Sequence, residues 1–238
     1  MLMQTYDTIR TMQVLQLAVA RGFERWTGGS VRFERAERLV AKFDELYAVN
    51  PTRAQDMRLR RAGHARSRLL LLPEIQSLQF SWWLLVSAGT GPVTKLEKLL
   101  DGTDRRQRIT LRDWELLRIP KRHAKEAPSW TWRLPEKEFR DRLAHACAVA
   151  THDSPHQAQA LITAMQKWPG FHGISQQRRE IQEAMVKARR GAGRRDPLEL
   201  PPHPPWPRLL ELQGHGVPLA IAVDRMRLAV AAAGSSPA

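Results

Sequence analysis

The sequence predicts an α+β fold, rich in helix, with a small, mainly antiparallel sheet in the middle of the chain packed against N- and C-terminal helices. Three observations predict it. Apolar residues recur at steps of three and four near both ends, the spacing of one helix face. In the middle they alternate singly with polar residues, the spacing of a strand. Glycine and proline punctuate the segments between. The regions are 1–66, helical; 67–134, a small sheet with a basic hairpin; 135–196, helical; and 197–238, a proline-rich strap and a terminal helix.

From Thr8 to Trp26, the residues Ile9, Met12, Leu15, Val19, Phe23 and Trp26 fall on one helical face, and Gly28 and Gly29 end the segment. Ser30 is then placed to cap a second helix, with Phe33, Ala36, Val40, Phe43 and Tyr47 as its stripe. Asn50-Pro51 fits the start of a third, which carries Arg53, Arg58, Arg60, Arg61, Arg66 and Arg68 against Asp56. Such a segment suits a helix laid against phosphates; it suits an ordinary solvated face equally well.

The middle reads as strands. In "LQFSWWLLV", Leu78, Phe80, Trp82, Leu84 and Val86 alternate with Gln79, Ser81, Trp83, Leu85 and Ser87. Gly89, Gly91 and Pro92 break the run, and a short helix with Leu96, Leu99 and Leu100 follows. "RITLRDWELLRIP" and "SWTWRLP" predict two more strands around the loop "KRHAKEAPS". Pro135 then starts a helix bearing Phe139, Leu143, Ala146 and Ala150, and Ser154-Pro155 another, bearing Ala158, Leu161, Ile162, Met165 and Trp168. A further helix from Ser175 to Arg190 is expected to turn Ile181 and Met185 inward and Arg178, Arg179, Lys187, Arg189 and Arg190 outward. "DPLELPPHPPWP" is an extended strap, and the closing apolar stretch predicts one last helix.

Composition bounds the function. Hydrophobic residues make up 42% of 238, enough for a core, and the formal net charge is +14. A domain this basic repels itself at neutral pH, and a polyanion relieves the repulsion. Nucleic acid, DNA or RNA, is the expected partner, with protein partners in a larger assembly beside it. An Arg- and Ala-rich composition with no such partner is the plain alternative. The single cysteine, Cys147, sits in "LAHACAVA" and reads as an inert apolar thiol. The N-terminus shows no basic region followed by an apolar run, and no apolar run approaches about 18 residues. A cytoplasmic protein with no membrane partner is expected.

Residues 105–122 hold seven basic side chains and two acids, a net of +5. The expected phosphate contacts here are Arg105, Arg106, Arg108, Arg118, Lys121 and Arg122, with Arg133 on the next strand. Arg178, Arg179, Arg189 and Arg190 are expected to add a second set. A two-stranded ribbon with an arginine- and lysine-bearing tip suits a nucleic-acid backbone, since the guanidinium fork matches phosphate. Trp130 and Trp132 alternate away from that duty and are expected to pack under the helices. No phosphate loop, GxGxxG, HExxH or GxSxG motif occurs. "HDSPH" offers His152, Asp153 and His156 across a helix cap, and no metal or other cofactor is expected. His123, beside Lys121 and Arg122, is the one candidate for proton transfer in metal-free RNA cleavage. His64 and His172 have no further support for such a role.

The strings "FSWWLLVSAGTGP", "RITLRDWELLRIPKR", "SWTWRLP" and "WPGFHGISQQRREI", in that order, resemble a poorly characterised family carried by proteobacterial conjugative plasmids and integrative conjugative elements. The likeness covers roughly Leu70 to Arg190 and transfers no functional residue. It implies a mobile-element setting and a nucleic-acid-binding accessory role in DNA maintenance, transfer or regulation. Plasmids also carry CRISPR systems. The alternatives are therefore an RNA-binding or crRNA-processing subunit, with metal-independent endoribonuclease activity as its enzymatic form, and a structural subunit docking on acidic protein partners.

Overall fold

The computed structural model describes residues 3–119, 129–194, 196–202 and 216–234. In chain order the elements are β1 (Gln4–Thr5), α1 (Thr8–Ala20), β2 (Arg25–Arg32), α2 (Phe33–Tyr47), α3 (Arg53–Arg61), β3 (Ser67–Glu74) and β4 (Gln79–Val86). There follow α4 (Pro92–Leu96), β5 (Leu100–Asp101), β6 (Thr110–Leu111), β7 (Trp114–Ile119) and β8 (Ser129–Arg133). The last are α5 (Glu136–His152), α6 (Pro155–Met165), α7 (His172–Gly191), β9 (Val217–Pro218) and α8 (Leu219–Gly234). The fold is α+β and helix-rich, and it forms two compact units: Met1–Arg108 with Leu209–Ala238, and Ile109–Arg208.

The first unit is a six-stranded sheet in the order β5-β2-β4-β3-β1-β9. Only β1 and β3 run parallel; every other neighbouring pair is antiparallel. The alternation in "LQFSWWLLV" does mark a strand, β4. It pairs along its whole length with β2 and β3, so that Leu71, Trp82 and Gly29 lie side by side. One sheet face carries Leu69, Leu71, Phe80, Leu84 and Val86 against Phe33, Ala36 and Phe43 of α2 and Val223 and Met226 of α8. The other face buries Leu70, Leu72, Trp83 and Leu85, and α1 packs on β3 there with Met12, Leu15 and Val19 inward. Apolar residues on both faces are what a covered central strand needs.

Several helix limits differ from the expectation. The first helix stops at Ala20, not Trp26. Gly22 adopts φ +88, its N–H donates to Val19 O, and the Phe23 N–H donates to Ala18 O. These are the two bonds of a Schellman terminus, with glycine at the left-handed position. Gly28, Gly29 and Ser30 therefore lie inside β2 rather than between helices. Glycine there has a packing reason: the Trp82 indole lies 3.3 Å from where a Cβ on Gly29 would stand. α2 starts at Phe33, and Thr52, not Asn50, caps α3 through a reciprocal pair with Gln55. Tyr47 of α2 donates to Glu97, the residue closing α4, at 2.6 Å.

The second unit is a three-stranded antiparallel sheet, β6-β7-β8, with α5, α6 and α7. The stretch read as one strand, "RITLRDWELLRIP", is two, because Arg112 takes φ +52 and turns β6 into β7. Leu116 pairs with Trp132 and Arg118 with Trp130. Trp130 and Trp132 are buried, as expected, and Trp114 is buried as well. α7 meets the sheet at Thr131, where the Gly173 N–H donates to Thr131 Oγ1 at 3.0 Å. A Cβ on Gly173 would stand 2.6 Å from Trp132 O, so only glycine lets the helix approach this closely. Trp168, expected on the α6 stripe, lies beyond that helix and meets the Trp114 ring edge-on at 5.6 Å.

Trp132 is fully buried. Its replacement by alanine is expected to cost about 3 to 5 kcal/mol, the range for emptying a buried aromatic site. Urea denaturation of wild type and Trp132→Ala measures it, and a difference under about 1 kcal/mol contradicts the packing described.

Candidate nucleic-acid interface

Residues 53–68 carry six arginines and one acid, Asp56, a net of +5. The fold places two of them, Arg66 and Arg68, at the start of β3, and an Asp56–Arg66 ion pair ties α3 to that place. The Schellman turn that ends α1 delivers Phe23, which is almost fully buried. Arg66 and Arg68 are two residues apart where the chain enters β3, so both project to one side. Their guanidinium carbons lie 4.8 Å and 4.6 Å from the Phe23 ring centroid. An aromatic face attracts a guanidinium by about 0.5 to 2 kcal/mol, which helps hold two like charges on one ring.

The backbone beneath is fixed. Arg66 N–H donates to Ser87 Oγ at 3.0 Å, and Ser87 N–H donates to Arg66 O at 3.0 Å. Ala65 N–H donates to Thr90 O, and Thr90 N–H to Gly63 O. A Cβ on Gly89 would stand 2.5 Å from Ala65 N, and Gly89 has φ +133. The glycine loop after β4 is thus a clamp on the arginine-bearing segment.

Charge is poorly balanced here. Arg66 Nη1 lies 3.3 Å from Asp56 Oδ2, both side chains being partly buried. Burial pushes the Arg68 pKa down; Asp56 opposes this, and the nearby Arg21 and Arg66 push the same way as burial. Asp56 thus pairs with Arg66 and acts on Arg68, while Arg21 adds like charge beside Arg68. α3 adds exposed Arg53, Arg58, Arg60 and Arg61 and buries no residue at all. A helix with no apolar face gains little from packing. Its Thr52–Gln55 cap and the Asp56–Arg66 pair hold it instead, with Arg58, Arg60 and Arg61 suited to the negative end of its dipole.

The residues expected to touch phosphate scatter. Arg105 and Arg106 are exposed in the turn after β5, and Arg108 is half-buried beside them. Arg118 is exposed on β7, while Arg133 is held by Glu115 at 3.1 Å. On α7 only Arg179, Lys187 and Arg190 face outward, among Glu180 and Glu183. Arg178 and Arg189 are buried, contrary to the expected outward pair. The reason is spacing: Ile174, Arg178, Ile181, Met185 and Arg189 succeed one another by three and four, on the face that packs inward. Arg189 serves the fold there, donating to Asp196 Oδ2 at 2.8 Å and to Ala150 O at 2.9 Å. Lys121, Arg122 and His123 lie outside the described residues. His152, Asp153 and Ser154 form the α5–α6 junction, with Ser154 as the cap. No described helix is long and apolar enough to cross a membrane.

Comparison with protein-family models, curated proteins and solved structures finds no match to this chain.

Asp56→Asn removes the carboxylate that pairs with Arg66 while keeping its shape. A higher affinity for polyanions with a small loss of stability, about 0 to 1 kcal/mol as for partly exposed pairs, is expected. Heparin retention alongside a thermal melt checks it; unchanged retention argues against the charge balance described.

Proposed function

We propose that the chain is a nucleic-acid-binding accessory protein whose arginine corner, α3 with Arg21, Arg66 and Arg68, holds the phosphate backbone. The observation that carries this reading is the pairing of Arg66 and Arg68 on Phe23 with Asp56 as their partner in charge. Folding concentrates like charge there at an energetic cost that a bound polyanion relieves. Backbone contacts of this kind position a ligand and carry no base information, so binding is expected to vary little with sequence. On the resemblance alone, we propose a mobile-element setting, in DNA maintenance, transfer or regulation.

The test is salt dependence. Each neutralised phosphate contributes about −0.7 to −0.9 to the slope of log affinity against log salt. Replacing Arg58, Arg60 and Arg61 together by alanine should flatten that slope by about two to three units. Stability should change by no more than about 0.5 kcal/mol per exposed site. Arg179, Lys187 and Arg190, replaced together, should leave the slope near its wild-type value. Equal losses from both triple variants would show a diffuse charge effect and remove the corner as the site.

A further inference from the structure

Two arginines are buried on α7, and they differ in one respect. Arg189 has a carboxylate and three backbone carbonyls, of Asp196, Ala150 and Asp153, around it. Arg178 is 0% exposed, and its Nε and Nη1 have no hydrogen-bond partner among the described residues. Its Nη2 meets only a neutral hydroxyl, Ser175 Oγ, at 3.2 Å. Burial pushes its pKa down, with no nearby charge as a cause, yet a guanidinium stays protonated in proteins. An unpaired buried cation costs several kcal/mol. The helix makes matters worse. Ser175 lies in the first turn of α7, so Arg178 reaches back toward the positive end of a 20-residue helix. Phe171, the N-cap residue, has no capping side chain, and of the first-turn donors the Gly173 N–H is taken by Thr131 Oγ1. The first turn is also held rigidly, since Gly173 is pressed and hydrogen-bonded onto β8.

A guanidinium with spare N–H groups, a hydroxyl and a helix N-terminus all favour one kind of ligand, a compact oxyanion. We propose that Arg178, Ser175 and the N-terminal turn of α7 form a receptor for a phosphoryl group, either free phosphate or the terminal phosphate of a nucleic-acid strand. Ser175 is partly exposed, so the guanidinium lies one side chain beneath the surface. A phosphodiester in mid-strand, flanked by two nucleosides, does not reach a side chain with no exposed surface. A free ion or a strand end is compact enough to reach it once the Ser175 side chain turns aside. The site lies in the second unit and is independent of the arginine corner.

The experiment uses the full chain and Arg178→Met, which keeps an unbranched apolar stem and removes the charged guanidinium. Thermal melts and calorimetric titrations are run with sodium phosphate, and with sodium acetate at equal ionic strength. Phosphate should raise the wild-type melting temperature saturably, and acetate should not. Arg178→Met should melt above wild type in phosphate-free buffer, because the unbalanced charge is gone. Its phosphate affinity should fall by about 10- to 100-fold, the effect of losing one charged hydrogen-bonding group. An oligonucleotide with a terminal phosphate is then compared with its unphosphorylated twin. Tighter binding of the phosphorylated strand by wild type, and not by Arg178→Met, assigns the site to a strand end. Equal binding of the two strands, with the phosphate response retained, assigns it to the free ion. The proposal is overturned by a wild-type melt indifferent to phosphate, or by an equal phosphate response in both proteins. It is overturned equally by an Arg178→Met protein that melts below wild type or fails to fold, since the charge would then be balanced from within. The Arg58, Arg60 and Arg61 triple variant should keep the phosphate response whatever becomes of its salt slope.

Discussion

The pairing of β4 with both β2 and β3 is the constraint from which the first unit follows. Eight residues of β4 are matched on each side without a break. A slip of one residue would turn Phe80, Leu84 and Val86 to the other face, away from α2 and α8, so the register is strongly specified. The same register decides where the chain leaves the strand. Ser87 follows Val86 directly and bonds Arg66, one residue before β3 begins. The arginine corner is thus a consequence of sheet register. Arg66 and Arg68 stand where the β3–β4 ladder starts, and Gly89 fits the loop that locks them there.

Much of this was legible in the residues. The period of two in "LQFSWWLLV" and the period of three to four in α2, α5 and α6 arise from local geometry and needed nothing else. The extent of α1 was not legible by periodicity, because Phe23 and Trp26 continue its stripe. Gly22 carried the signal, as a residue free to take the left-handed conformation that closes a helix. Stripe spacing shows which residues would share a face if the helix continued; it does not show that the helix continues. The single pairing of β1 with β3 and the late return of β9 to β1 join residues more than 60 positions apart, and no local pattern announces them.

The candidate site was half legible. The arginines of residues 53–68 stood out by count, yet their meeting with Phe23 depended on the end of α1. For α7 the failure was one of priority. Position placed Arg178 and Arg189 in line with Ile174, Ile181 and Met185, whereas residue type placed them in water. Position decided, because a helix docked on a sheet buries whatever its inward face carries. Arginine is seldom buried without a partner, so an inward arginine in a sequence asks a question that only its surroundings answer.

Those surroundings divide the excess of positive charge into three physical kinds. On α2 and the outer face of α7, basic and acidic residues intersperse, and water screens what remains. At Arg133 and Arg189, carboxylates neutralise the cation inside the fold, and the charge is spent on structure. At the α3 corner and at Arg178, neither happens. At the corner Asp56 alone faces Arg66 and Arg68 among the described residues, and among these no carboxylate pairs with Arg178. Screening works poorly for buried or half-buried charge, because ions and water do not enter between the partners. A bound anion relieves such sites far more than it relieves an exposed face of equal charge. Net charge alone therefore ranks the surfaces of this protein badly. The ranking that follows from desolvation sets aside the mixed outer face of α7 and leaves two places where, among the described residues, positive charge exceeds the counter-charge around it.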